Sequence, residues 1–157
     1  MRRFFFAIIC VAISIVAFAQ DTKTAAGKPF HTYIYNKEYM VYLDINLYDN
    51  DIKVPGQDIF GNVPGYFGAS RDSRKWLITS AKLDGTNKAS LDIINDYGSE
   101  DLTATLTYDP KQNTYTLRQT GGSRLKIVVS RKWVKIPTEI TLVPQERVAD
   151  MLSLIHI

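Results

Sequence analysis

The sequence predicts an all-β domain built from short antiparallel strands. Apolar and polar residues alternate along Leu102 to Tyr108, which indicates a strand because successive side chains leave opposite faces of its backbone. Turn-forming residues recur between such segments at intervals of about ten residues, a spacing typical of sandwiches and barrels. After the first nineteen residues, no segment shows the sustained apolar period of an amphipathic helix.

The first nineteen residues are predicted to be a signal peptide. Met1 to Arg3 is positively charged, Phe4 to Phe18 is almost wholly apolar, and Ala17 to Ala19 has the small-x-small pattern of a cleavage site. An uncleaved membrane anchor is the alternative, although the apolar run is shorter than the about 20 residues that span a bilayer comfortably. Residues 20–31 are then expected to be a flexible leader. We therefore expect a protein exported to the periplasm or the exterior of a bacterium, with no membrane span after cleavage.

Removal of the signal peptide changes the composition that bears on function. Arg2 and Arg3 leave, so 17 of the 19 Lys and Arg residues remain against 16 acids, and the net charge falls to about +1. Non-specific nucleic-acid binding, which needs a clustered positive field, is therefore not expected. Cys10 is the single cysteine and leaves as well, so the mature domain must be stabilised by its core rather than by disulfides.

The C-terminus differs in character from the rest of the chain. Residues 152–157 read LSLIHI, which is the translation of the transposon mosaic-end sequence used to prepare sequencing libraries. We therefore expect these six residues to derive from an adapter, and residues 145–151 to begin a C-terminal segment that is truncated here. An ordinary apolar tail is the alternative, and codons other than CTG TCT CTT ATA CAC ATC at this position would support it.

The β domain is expected over residues 32–144. A short strand is predicted at Thr32 to Tyr35 and a firmer one over Met40 to Tyr48, where apolar residues alternate with polar residues and tyrosines. Asp49 to Asp51 has turn chemistry, because Asx side chains hydrogen-bond to nearby backbone. Ile52 to Val54 is predicted to be the returning strand.

Residues 56–73 form the least regular part of the domain. Four glycines and one proline in this stretch argue against a long helix or a central strand. The stretch also carries Phe60, Tyr66 and Phe67, so we expect it to pack over an open end of the sheet. An aromatic loop of this length is either functional or a structural lid.

Regular alternation returns from Lys75 onward. Trp76 to Leu83 and Ala89 to Ile93 are predicted to be two strands of a hairpin, because Asp84-Gly85 between them is a strong turn signal. Residues 96–101 form an acidic turn.

Leu102 to Val129 is predicted to be a meander of three antiparallel strands. Its turns are expected at residues 109–113 and at Gly121-Gly122, and a last strand is expected around Ile140 and Leu142. Eight or nine strands joined mostly by hairpins favour an up-and-down meander, and we expect a lipocalin-like barrel of about eight strands rather than a Greek-key sandwich. Such a barrel either fills its interior with side chains or holds one small ligand.

The sequence offers little catalytic chemistry. The only histidines are His31, beside the leader, and His156, within the suspected adapter. We therefore expect no catalytic site of the Ser-His-Asp or Cys-His type. A zinc site rich in His or Cys is not expected either. The sequence also has no phosphate-binding or dinucleotide-binding motif. A carboxylate pair for glycoside hydrolysis stays open, because such residues meet in space rather than in sequence. We expect a non-catalytic protein without a cofactor or a resident metal.

Charged residues are segregated along the chain. Six acids and one lysine lie between residues 84 and 109, whereas seven bases and no acid lie between residues 111 and 135. The simplest interpretation is cross-strand pairing on solvent faces. A bipolar surface that recognises a charged partner is the alternative, and a calcium site at Asp96, Glu100 and Asp101 is a third possibility, because clustered carboxylates suit hard cations.

Aromatic residues provide the predicted binding site. Aromatic faces bind sugar rings and protein surfaces, although strands are enriched in tyrosine for structural reasons as well. We expect an exported binding domain for a small apolar or glycan ligand, whose site is lined by Tyr42, Tyr48, Tyr66, Phe67 and Trp76.

The alternative is a protein-interaction module of the cell envelope, such as an inhibitor, an immunity-type protein or the N-terminal domain of a longer surface protein. An open cavity lined by these aromatics favours the ligand-binding function. A filled barrel with a flat tyrosine-rich face favours the interaction module.

Overall fold

The structure is a computed structural model that describes residues 27–147. The expected signal peptide, leader residues 20–26, and residues 148–157 with the suspected adapter lie outside the described residues. Within residues 27–147 the domain is all-β, and no helix there has the length and apolar character needed to cross a bilayer.

The described chain forms twelve strands and one short 3-10 helix. The strands are β1 (His31–Asn36), β2 (Val41–Asn46), β3 (Ile52–Lys53), β4 (Asn62–Val63), β5 (Gly65–Ala69), β6 (Asp72–Asp84), β7 (Lys88–Asn95), β8 (Asp101–Asp109), β9 (Thr114–Gly122), β10 (Lys126–Val129), β11 (Lys132–Lys135) and β12 (Glu139–Pro144). The 3-10 helix (Asp58–Phe60) lies between β3 and β4.

Eight of these strands form a closed barrel in the order β1-β12-β9-β8-β7-β6-β5-β2. Every pair of neighbours is antiparallel, and the barrel closes because β1 pairs with β2 on one side and with β12 on the other. The predicted antiparallel up-and-down meander of about eight strands is confirmed, and the architecture is a barrel rather than a sandwich.

Apolar side chains fill the barrel interior. The alternation predicted for β8 places Leu102, Ala104 and Leu106 inside, and the same period places Leu43 and Phe67 inside on β2 and β5. These residues belong to one continuous core that includes every strand of the barrel. The barrel is therefore held together by packed side chains in its interior.

Aromatic residues close one end of the barrel. Phe30, directly before β1, is fully buried, and its backbone N–H donates to the Tyr48 hydroxyl at 3.1 Å. The Tyr115 ring packs edge-on against the Phe30 ring, and its centroid lies 4.7 Å from the centroid of the Tyr108 ring. The Tyr115 hydroxyl donates to the backbone carbonyl of Pro29, so the segment before β1 is fixed across this end.

The barrel domain includes residues before the expected boundary at residue 32. Pro29 and Phe30 are buried, and β1 starts at His31. The last residues of the expected flexible leader are therefore part of the barrel, because the apolar Phe30 supplies the plug for this end.

The opposite end is covered by a hairpin of β10 and β11 that stands outside the barrel order, and we call it the hairpin end. Leu125, Ile127 and Ile136 point from this region into the barrel core. The prediction that β10 is the third strand of a meander with β8 and β9 was wrong, since β9 pairs with β12 instead. The β10–β11 hairpin, which connects β9 to β12, therefore covers this end of the core.

The predicted turn at Gly121-Gly122 was also wrong, because both glycines belong to β9. Gly122 pairs with Leu102, and its backbone φ is 78°. A Cβ atom on Gly122 would lie 2.5 Å from the carbonyl oxygen of Asp101. Glycine is required there for a left-handed backbone and a close approach to β8, rather than for a turn.

The irregular residues 56–73 contain a central strand, contrary to prediction. β5 lies between β2 and β6 and is buried along its whole length. Its glycines allow this, because a Cβ atom on Gly68 would lie 2.6 Å from the ring of Tyr42. Val54, directly after β3, and Val63 in β4 pack against the outer wall, so this segment covers the side of the barrel rather than an open end.

Candidate functional site

The five aromatic residues predicted to line a ligand site are not brought together. Phe67 and Trp76 point into the barrel, whereas Tyr42 and Tyr66 lie on its outer wall. Tyr48 packs at the end that Phe30 closes. Neighbouring residues such as 66 and 67 cannot share a site on one strand, because their side chains leave opposite faces.

Three tyrosines form a patch on the outer wall, which we call the tyrosine face. The ring of Tyr42 stacks on Tyr33 with centroids 5.1 Å apart and meets Tyr66 edge-on at 5.9 Å. Beside them lies the largely buried carboxylate of Asp44, which accepts hydrogen bonds from the Arg147 guanidinium at 3.0 and 2.5 Å. The same guanidinium lies 5.8 Å from the centroid of the Tyr33 ring.

The electrostatics of the tyrosine face keep its hydroxyls protonated. Burial, with smaller contributions from Tyr42 and Asp44, raises the pKa of Tyr33 to about 12. Burial also raises the pKa values of Tyr42 and Tyr66. A tyrosinate nucleophile or base is not favoured here, and the contacts among these side chains serve packing of the outer wall.

A surface pocket of about 230 Å³ opens at the hairpin end. The buried Trp76 lines it, and the pocket is bordered by the start of β6, by the turn that follows β7 and by the β10–β11 hairpin. The indole N–H of Trp76 donates to the Lys126 carbonyl at 3.2 Å, which attaches the hairpin to the barrel. Trp76 is thus the one predicted site residue that borders this pocket.

Two exposed aromatic side chains flank the pocket. Trp133 is 59% exposed and Tyr97 is 78% exposed, which is unusual for side chains with so much apolar surface. The Arg74 guanidinium and the Lys126 ammonium lie 5.2 and 5.1 Å from the centroid of the Trp133 ring. These cation–π contacts orient the indole without burying it.

A buried amide organises the polar side of the pocket. The Asn95 side chain accepts backbone hydrogen bonds from Ser99 at 2.9 Å and from Glu100 at 3.3 Å, and it donates to Oε2 of Glu100 at 3.3 Å. Oε1 of Glu100 in turn accepts from Lys126 Nζ at 2.8 Å. The turn after β7 is therefore fixed in place, and Glu100 links it to the hairpin.

The charge at the hairpin end is predominantly positive. The Lys126–Glu100 pair joins the basic and acidic segments of the sequence, and Arg118 pairs with Glu139 on β12. Within residues 27–147, Arg131, Lys132 and Lys135 are exposed cations without an ion-pair partner. Cross-strand pairing therefore explains only part of the basic segment.

Burial lowers the pKa of Lys75, the residue directly before Trp76. The nearby carboxylates of Asp72 and Asp96 act in the opposite direction. The lowered pKa reflects a site that is partly shielded from water.

The calcium alternative finds no support in the described part of the chain. No group of three His, Cys, Asp or Glu side chains lies close enough there to hold a metal ion. Asp96 accepts from the backbone N–H of Lys75, and Glu100 bonds to Lys126, so both carboxylates are already engaged.

Sequence reasoning missed most of this pocket. The sequence pattern could have indicated that Trp133 is exposed. Trp133 alternates with Val134 and therefore shares the outer face of its strand with Lys135. No sequence pattern could have placed Arg74, Asn95 and Tyr97 in this pocket, since their position there depends on the hairpin that folds over them. Comparison of the chain with protein-family models, with curated proteins and with solved structures finds no match.

Proposed function

We propose that this protein is an exported, non-catalytic interaction module of the cell envelope that binds another protein at the hairpin end of the barrel. The observation that carries the proposal is Trp133, a large aromatic side chain that is oriented by two cations yet 59% exposed. Tryptophan, tyrosine and arginine are the residue types concentrated at binding hot spots, and Trp133, Tyr97 and Arg74 border one pocket.

The packed interior supports an interaction module more than a carrier of a small ligand. A ligand inside the barrel would have to displace side chains such as Phe67, Leu106 and Tyr115, all of which are fully buried. Phe30 and the hairpin also cover the two ends of the core. Binding on the outer surface needs no such rearrangement.

The charge of this surface supports a partner with an acidic contact region. The β10–β11 hairpin and its flanks carry Arg124, Lys126, Arg131, Lys132 and Lys135 and no acid. Such a field accelerates encounter with an acidic surface and disfavours basic partners.

A glycan remains the second candidate, because of the composition of the same pocket. A volume of about 230 Å³ suits a single sugar ring, which would stack on Trp133 or Tyr97 and meet polar groups of Asn95 and Glu100.

The test compares capture of proteins from an envelope extract of the source organism by the purified chain and by two variants. Trp133→Ala should lose the captured protein, whereas Ile59→Ala should retain it, because Ile59 is an exposed apolar residue away from this pocket. Thermal denaturation should show that both variants remain folded. Equal capture by Trp133→Ala and the wild type would contradict the proposal, and a melting temperature raised by neutral glycans only in the wild type would favour the glycan.

A further inference from the structure

The register of the hairpin determines which backbone groups of β11 point outward. Val129 pairs with Lys132 across the two-residue turn at Ser130 and Arg131, and this pair is hydrogen-bonded in such a hairpin. Hydrogen-bonded pairs recur at every second residue, and the bond from Ile136 N–H to the Leu125 carbonyl at 2.8 Å fits this order. The N–H and C=O groups of Trp133 and Lys135 therefore point away from β10.

The corresponding outward groups of β10 are already bonded to the barrel. The Lys126 carbonyl accepts from the Trp76 indole at 3.2 Å, and the Val128 N–H donates to Oδ2 of Asp72 at 2.7 Å. On β11, by contrast, the outward backbone groups meet no partner among residues 27–147, because the sheet has two strands and β11 is its outer one. β11 is an open sheet edge beside Trp133.

We propose that this edge binds an extended acidic segment of the partner protein as a third strand of the hairpin sheet. This inference rests on the proposed function and specifies how the hairpin end would bind. Main-chain hydrogen bonds to Trp133 and Lys135 supply affinity, and side chains of the added strand meet the exposed indole and the lysine cations.

Charge complementarity selects an acidic strand over a second copy of the same edge. Lys132 and Lys135 lie on β11, and Arg131 adjoins them at the tip of the hairpin. Two such edges side by side would place like charges opposite one another, which is destabilising, and lysines on short edges are a known protection against self-pairing. An acidic strand would instead place its carboxylates opposite these cations, which is stabilising.

The backbone of the hairpin tip gives independent support. Ser130 and Arg131 have φ values of 51° and 65°, in the left-handed region that such turns normally fill with Asn and Gly. A bulky residue at positive φ is strained, and strain of this kind concentrates at functional sites. The chain thus retains a cation at the tip where glycine would fit better.

The experiment titrates the full chain with an acetylated octapeptide of alternating glutamate and valine, and amide hydrogen exchange is measured alongside affinity. Binding should slow exchange of the Trp133 and Lys135 amides. Two methylated versions of this peptide, one N-methylated on its glutamates and the other on its valines, keep its charge but each lose the donors of one edge. The methylated peptide whose remaining donors face away from β11 should bind about tenfold more weakly or worse.

A matched pair of variants tests the same edge from the protein side. Lys135→Ala and Lys135→Pro both remove one charge, but only proline removes the outward N–H, which no bond within the hairpin uses. Lys135→Pro should weaken binding by about a further fivefold relative to Lys135→Ala. Because the methylated peptide needs no change in the protein, a folding defect in Lys135→Pro leaves the test intact.

The outcomes separate this inference from the proposed function. If both N-methylated peptides bind as tightly as the parent and Trp133→Ala weakens all of them, strand addition is wrong but an acidic interaction surface stands. If neither the acidic peptides nor the captured protein depends on Trp133, both proposals fail. Self-association of the chain that Lys135→Pro abolishes, measured by sedimentation, would overturn the assignment of this edge to an acidic partner.

Discussion

The carboxylate of Asp72, in the first residue of β6, accepts a hydrogen bond at 2.7 Å from the backbone N–H of Val128 in the middle of β10. Its other oxygen accepts from the backbone N–H of Arg74 at 3.1 Å and lies 3.4 Å from the Arg74 guanidinium. That guanidinium lies over the Trp133 ring. One buried carboxylate therefore positions both the hairpin and the cation beside the exposed indole.

Asp72→Ala should lower the free energy of unfolding by about 1–3 kcal/mol, because it leaves the Val128 N–H without its acceptor. The loss should be measured by urea denaturation, and hydrogen exchange at Val128 should accelerate. Asp84→Ala, at the exposed far end of the same strand, is the matched control and should change stability little. Equal stabilities of the two variants would contradict this role of Asp72.

The hairpin turn should be improved by residues suited to positive φ. Ser130→Asn combined with Arg131→Gly should raise the free energy of unfolding by about 1–2 kcal/mol, since both residues then adopt the left-handed conformation without strain. Arg131→Ala is the control that removes the same charge without relieving the backbone. A double variant no more stable than Arg131→Ala would show that the turn stores no such strain.

Alkaline pH should destabilise the fold through the tyrosine face. Burial raises the pKa of Tyr33 from its ordinary value of 10.0 to about 12, so the folded state retains this proton at a pH where the unfolded chain loses it. The stabilisation is fully present below pH 10 and is lost as the pH rises towards 12.

Chemical denaturation at a series of pH values, with tyrosine absorbance as a second readout, tests this prediction. Tyr33→Phe should flatten the decline between these pH values, because phenylalanine has no proton to lose. The prediction fails if the wild type and Tyr33→Phe lose stability in parallel.

Gly68→Ala should destabilise the outer wall, since the new methyl group would overlap the Tyr42 ring at 2.6 Å. Overpacking of this kind costs about 1–3 kcal/mol and displaces the aromatic ring, which near-UV circular dichroism would detect. Gly121→Ala is the comparison, because its methyl group would meet the Thr103 hydroxyl at 3.2 Å, a side chain that can move. A smaller loss in Gly68→Ala than in Gly121→Ala would contradict the assigned contact.

Prediction of the fold succeeded where alternation fixes the face of each side chain. The period of two put Leu102, Ala104 and Leu106 on one face of their strand, and the structure buries all three. Prediction failed where a glycine had two possible uses. Gly122 was assigned to a turn and Gly68 to a region without a central strand, yet both glycines permit close approach inside the sheet.

The candidate site was less predictable than the fold, because a strand pattern gives the face of a residue but not its neighbours. Tyr66 and Phe67 were assigned to one site, whereas the pleat sends them to opposite sides of the wall. Trp76 borders the pocket at the hairpin end, but its neighbours Trp133 and Arg74 come from segments that meet only after the hairpin folds over.

The sequence by itself determined that this chain forms an antiparallel β domain of short strands and which residues of most strands face its core, because both follow from a local period of two and from local turn chemistry. Only the tertiary structure decided that β9 pairs with β12, that β10 and β11 cover one end, and that Trp133 stands exposed beside an open edge. Pairing between distant strands depends on barrel closure and core packing, which no local pattern encodes.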